Sequence, residues 1–224
     1  MAMSQSNVIQ DAGVALAAAK NHATELAEVG ITTEDVGRVE TLITTLTEKD
    51  FQHKESISHV RRLTDEQNLL IGRGQFIIGK IQSAAKVQFF RNKNVLIEFH
   101  IGKEKDKTVA EVLNELGYMK GLMVTYASQL TARGIKEVDL TELNACHTEL
   151  QEKDREQENA KRLQVQIGAE RNAALAELKD AVALIRQSAK TCFRGNKTIL
   201  NEFKSILKAR KPKTPDTPVP PENA

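Results

Sequence analysis

The chain has 224 residues, 40% of them hydrophobic and 28% charged, which is enough for one large packed domain or two small ones. Aromatics are only 4%, Trp is absent and all 5 prolines lie at or beyond Pro212, so sandwiches and barrels are disfavoured and long helices favoured. The formal net charge of +2 lacks the basic excess of a dedicated nucleic-acid binder.

One property organises the chain. Shifted by 104 residues, the sequence aligns with itself without a gap, with 21 identities over the 79 pairs that begin at Ala23 and end at Ile101. Chance gives roughly 5–6% identity, so the expected fold is all-α, with two tandem homologous antiparallel helical bundles. The expected domains are 1–103 and 104–209, followed by a basic, proline-rich, disordered tail over 210–224.

In chain order, helix A is expected over Val8–Val29 and Thr108–Arg133, stopped by Gly30 or Gly134 in a left-handed cap, with Ile31 or Ile135 folding back on the helix end. Helix B opens near Thr32–Asp35, a capping-box pattern with Asp for Glu; the second copy offers Asp139, with Glu142 three residues on. Its apolar seam, Val36, Val39, Ile43 and Leu46, recurs in part as Leu140, Leu143 and Leu150. The seam then fails, and Gln151–Arg162 holds no large apolar residue, so a solvated helical hairpin tip is expected there. Helix C recovers the seam over Leu63–Phe90 and Leu163–Phe193. Gly72, Gly74 and Gly79 interrupt the first copy only and mark a kink or a close backbone approach. A turn at Asn92-Lys93 or Asn196-Lys197 leads into helix D, Val95–Ile101 or Ile199–Lys208, and Gly102–Lys107 links the copies. The series Gly-Ile, Asp-(Val/Leu), Phe, Asn-Lys and Glu-Phe is similar to bacterial tandem-repeat helical proteins, a likeness that implies the fold and carries no activity.

Charge follows the repeat. Glu25–Glu55 has 8 acids and 3 bases, and Gln129–Asn159 has 8 acids and 4 bases. Asn68–Lys103 has 6 bases and 1 acid, and Asn172–Leu207 has 6 bases and 3 acids. Acidic helix B and basic helix C pair inside one unit, or the basic surface of one molecule meets the acidic surface of another in a head-to-tail assembly.

No chemistry stands out. None of the 5 histidines has Glu three residues before it, as a di-iron bundle requires, and Cys146 and Cys192 match no zinc or disulfide spacing. Glu66/Glu170 and Glu98/Glu202 persist in both copies and read as capping or salt-bridge residues, for example Glu98 against Arg91 or Lys93. No P-loop, nucleophile elbow or dinucleotide fingerprint occurs, so no catalytic, cofactor or metal residue is assigned and no cofactor is expected. The segment Ile71–Ile101 mixes Phe76, Ile77, Ile78, Phe89 and Phe90 with bases, as a membrane-surface helix does. Its apolar positions recur in part in the second copy, so they read as core. No basic leader and no long apolar run are present, so the expected setting is the cytoplasm.

The leading expectation is a non-enzymatic structural or scaffolding protein, self-assembling through charge-matched repeats. The first alternative is a cytoplasmic adaptor that binds a protein through the hairpin tip; the second is a ligand-binding or enzymatic bundle around Glu66 and Glu170. The expected interaction surface is Lys153, Arg155 and Glu156 at the tip, with Arg73, Lys80 and Lys86 on basic helix C. The expected partner is a second copy or another protein, with nucleic acid disfavoured.

Overall fold

A computed structural model describes residues 5–103 and 108–207, all of whose regular structure is helical. The expected tail over 210–224, and most of the Gly102–Lys107 link, lie outside the described residues. The elements are α1 (Gln5–Asn21), α2 (Ala23–Glu28), α3 (Thr33–Gln88), α4 (Lys93–Glu98), α5 (Val109–Thr125), α6 (Ala127–Thr131), α7 (Glu137–Cys192) and α8 (Lys197–Glu202). The bounds of α1 to α4 recur 104 residues later in α5 to α8, save that α6 ends one residue short of the match to Glu28.

Local chemistry sets most boundaries. Expected helix A is two helices, α1 with α2 and α5 with α6, broken at His22 and Tyr126. Gly30 and Gly134 take φ of +89° and +85°, where a side chain is strained. The amides of Ile31 and Ile135 donate to the carbonyls of Leu26 and Leu130, and both side chains are buried. At the head of α3 the Thr32 amide donates to Asp35, and the Asp35 amide to the Thr32 hydroxyl, a reciprocal cap. Asp139 receives the Lys136 amide at 2.8 Å. Asn92 and Asn196 cap α4 and α8 through the amides of Val95 and Ile199.

The structure departs from the expected hairpin. α3 and α7 are each continuous over 56 residues, and Gln151–Arg162 is the interior of α7. No Gly or Pro interrupts that stretch, and its inward positions are small or paired polar residues: Ala160 and Gln157 are buried, and Gln157 donates to Thr64 of α3.

The described residues form two compact units, and each long helix contributes one part to each. Unit 1 takes the described residues up to Phe51 with those from Ala169 onward; unit 2 takes those of Gln52–Gly168. Helix A and the first part of a long helix therefore come from one sequence copy, and the second part of a long helix with its short helix comes from the other. The core of unit 1 gathers Ala12, Ala15, Ala18 and Ala19 of α1, Val39 and Leu46 of α3, and Leu178, Val182, Ile185 and Ala189 of α7. The core of unit 2 gathers Leu116, Met119, Leu122 and Met123 of α5, Ile77, Ile81 and Ala85 of α3, and Leu143, Cys146 and Leu150 of α7.

Candidate interaction surface

Several of the ionisable residues that persist in both copies have structural partners. Lys49 donates to Glu170 at 2.5 Å in unit 1, and at the matched positions Lys153 lies 3.0 Å from Glu66 in unit 2. Arg171 approaches Asp50 at 4.0 Å, and Gln67 donates to Asp154 at 3.2 Å, again matched positions. The hydrogen bond from Lys153 holds the Glu66 carboxyl below its usual range, and bonds to Glu156 and Glu66 raise the Lys153 ammonium. Glu98 accepts from the Tyr126 hydroxyl at 2.7 Å, and Glu202 sits 3.1 Å from His22, rather than either acid meeting Arg91 or Lys93. Tyr126 packs on Phe89 and Phe99, while matched His22 packs on Phe193 and Phe203. These acids close seams in the fold.

The residues singled out by sequence fall into two groups. Lys153 and Glu156 bond to each other at 2.7 Å on α7, and Arg155 is exposed beside them. Arg73 pairs with Glu149 at 2.8 Å and Glu142 at 3.5 Å. Lys80 pairs with Asp139 at 2.6 Å. Burial would raise the Asp139 carboxyl, but the Lys136 amide and Lys80 outweigh it and hold it low. Lys86 is exposed. Within unit 2, acidic residues of one sequence copy thus answer basic residues of the other, which consumes Arg73 and Lys80 in intramolecular pairs.

The apolar residues between those bases are not all core. Ile77 and Ile78 are buried, but Phe76 is 74% exposed, Leu69 76%, Val87 58% and Phe90 66%. Leu69, Gly72, Phe76, Gly79, Ser83 and Val87 recur at three- and four-residue steps, so they form one stripe on α3. α3 thus has two apolar faces, one packed in unit 2 and one open. Burial of large apolar groups is favourable by about 1.5–3 kcal/mol each, so four of them left in water on one face signal a surface that binds.

The stripe from Phe76 to Val87 floors an open groove of about 700 Å³, lined by Phe76, Gly79, Lys80, Val87, Arg133 and Ile135. A Cβ added at Gly72 or Gly79 would meet nothing within 4 Å. Neither glycine answers packing inside the chain. Gly74 does: a Cβ there would lie 3.1 Å from Val112 and 3.3 Å from Leu116, so α5 packs close against the α3 backbone.

The matched face of α7 carries Ala173, Ala176, Asp180, Ala183, Gln187 and Thr191, with Arg194 where Phe90 stands; none of these is a large apolar residue, and Leu184, matched to Lys80, is exposed beside them. The buried positions kept their character (Ile78 and Val182, Ile81 and Ile185) while Phe76 and Phe90 became Asp and Arg. That contrast was present in the sequence and is the signal by which the surface is separable from the core.

No protein-family model, curated protein or solved structure matches this chain. The general likeness to bacterial tandem-repeat helical proteins therefore gains no family. Among the described residues no three His, Cys, Asp or Glu side chains gather as a metal-binding group, and no helix is long and apolar enough to cross a membrane. Cys146 is buried and directs its thiol at the Leu70 carbonyl, 3.6 Å away; burial raises it and the Cys192 thiol alike.

Proposed function

We propose that this protein is a non-enzymatic scaffold, built of two tandem copies that exchange their C-terminal halves, which recruits a protein partner through the open face of α3. The observation that carries this reading is the asymmetry of that face: exposed Leu69, Phe76 and Val87 on α3, with Phe90 in the turn just after it, stand against Ala173, Asp180 and Thr191 on α7, with Arg194 in the turn just after it. The 104-residue recurrence of element bounds supports duplication. After duplication, one copy has an ordinary solvated face and the other a hydrophobic one, as expected where one copy took on binding. The preserved acids support a structural role, since Glu66, Glu170, Glu98 and Glu202 each hold a neighbouring side chain.

Self-assembly through charge-matched segments is the second reading, favoured by the opposite net charges of helices B and C in both copies. The pairs Arg73–Glu149, Lys80–Asp139 and Lys49–Glu170 weigh against it, because those charges already have partners inside the molecule.

Two measurements separate the readings. Light scattering at low and high salt is expected to give the same small species throughout; a large species that dissociates as salt rises would favour self-assembly. Affinity capture from the native cell, run with the wild type and with Phe76→Asp/Phe90→Arg, is expected to recover a partner with the first alone. Identical recovery with both proteins would sink the scaffold reading as stated.

A further inference from the structure

Resting on that reading, we infer that the occupant of the α3 face is an amphipathic helix of a partner protein whose apolar stripe is edged by Asp and Glu. Three observations lead there. The first is charge. From Asn68 to Ile97 the chain has five bases and no acid. Lys80 at the groove is answered by Asp139. Among the described residues, Arg133 beside the groove bonds to the neutral Gln88 side chain, at 2.7 Å, and to no carboxylate. Lys86 lacks an ion-pair partner among the described residues, and Arg91 lies over the Phe90 ring at 5.0 Å without a carboxylate. An acidic edge on the occupant would find Lys86, Arg91 and Arg133 still available.

The second is shape. Gly72 and Gly79 alternate with Leu69, Phe76 and Val87, so the stripe is a row of projecting side chains separated by gaps. Gaps of that kind take side chains from a second helix in knob-and-hole fashion. Arg133 and Ile135 border the stripe beside Phe76, Gly79 and Val87 and make a shallow open groove there, which suits a rod better than the plane of a bilayer. The third is length. Leu69 to Val87 extends about 27 Å at 1.5 Å per residue, so the occupant has about five helical turns.

A second copy of this chain is the poorer occupant. Pairing two α3 faces would set Lys86, Arg91 and Arg133 of one copy against the same bases of the other, and like charges juxtaposed across an interface are repelled.

The test selects helical peptides from a display library with apolar heptad positions fixed and flanking positions randomised, using the full-length protein as bait. Enrichment of Asp and Glu at the flanks is expected. A selected peptide measured by fluorescence anisotropy should bind at least tenfold more weakly to Phe76→Asp/Phe90→Arg, whose circular dichroism stays unchanged because both side chains are exposed. Lys86→Glu/Arg133→Glu should lose the acidic peptide and gain its Lys-flanked twin. Enrichment of neutral or basic flanks would overturn the acidic partner and leave the docking face standing. No enrichment over the Phe76→Asp/Phe90→Arg bait would overturn the docking face itself. Phe76-dependent binding to phosphatidylserine vesicles without peptide binding, or a concentration-dependent dimer abolished by the same variant, would overturn the proposal in favour of a lipid surface or a second copy.

Discussion

In unit 1 the acid on the first helix, Asp11, lies almost fully buried against the guanidinium of Arg186, with both carboxylate oxygens and the Asp11 carbonyl engaged. Ser205 and the Ile206 amide complete its shell at 2.9 and 2.8 Å. At the matched positions of unit 2, Glu115 is buried and sits 2.8 Å from His100, while Gln82 stands in place of Arg186. One contact is common to both: Arg186 donates to the Phe203 carbonyl and Gln82 to the Phe99 carbonyl. The shared architecture needs a donor at that helix position to hold the turn after α4 or α8. The charge on Arg186 is an addition specific to unit 1, and it gives Asp11 its counter-ion.

The sharpest way to break this equivalence is to remove that donor from each unit. Arg186→Met leaves a buried carboxylate without its counter-ion and is expected to cost about 3 kcal/mol, as loss of one partner from a buried ion pair does. Gln82→Met removes only a neutral hydrogen bond and should cost about 1 kcal/mol. Chemical denaturation of the two variants checks the ratio. Equal losses would mean that Asp11 is adequately held by Ser205 and Ile206 alone.

The cores differ as well. Unit 1 sets Leu178 in a core with an alanine-faced α1, whereas in unit 2 Gly74, matched to Leu178, lies against Val112 and Leu116 of α5, and Leu116 is matched to Ala12. Volume has moved from the long helix to the short one. Gly74→Leu should therefore overpack unit 2 and destabilise it by about 2 kcal/mol. Adding Leu116→Ala, the unit 1 arrangement, should recover most of that loss. A double variant no better than the single one would show that the two units do not share a packing plan.

Acid should act more gently. Burial by itself would raise the Asp11 carboxyl, but hydrogen bonds from Arg186, Ser205 and Ile206 outweigh it and hold it below 3.8. The folded chain then binds this proton more weakly than the unfolded chain. Its stabilising contribution is complete above the unfolded value and is lost as pH falls through the folded one. As pH falls below the unfolded value the wild type should lose stability more steeply than Asp11→Asn. Parallel slopes would remove Asp11 from the acid response.

What the sequence discloses and what it conceals follow from distance along the chain. The stops at Gly30 and Gly134, the Thr32–Asp35 cap and the Asn92 and Asn196 caps are legible because each is complete within a few residues. The continuity of α3 and α7 is not. Lys153 and Asp154 fall in the stretch read as a solvated tip, but their partners Glu66 and Gln67, like the partners Glu170 and Arg171 of the matched Lys49 and Asp50, lie far off in sequence. Among the bases picked out as an interaction surface, Arg73 and Lys80 are occupied for the same reason, while Lys86 flanks the open stripe. Periodicity alone also cannot separate Phe76 from Ile77, since both are apolar neighbours on one helix and only one faces the core of unit 2.

The smallest expected effect bears on the same face. Gly72 and Gly79 stand where the α7 face has Ala176 and Ala183, and a methyl group at either meets no neighbour within 4 Å. Alanine at a helical glycine site with free space stabilises the helix by about 0.5–1 kcal/mol. Gly72→Ala and Gly79→Ala should therefore each raise the melting temperature slightly. If the glycines serve the occupant's side chains, the same substitutions should weaken binding of the selected helical peptide. A gain in stability coupled to a loss of binding separates a glycine kept for a partner from one kept for the fold; unchanged binding would mean that the gaps at Gly72 and Gly79 admit nothing, and that Phe76 and its apolar neighbours alone make the contact.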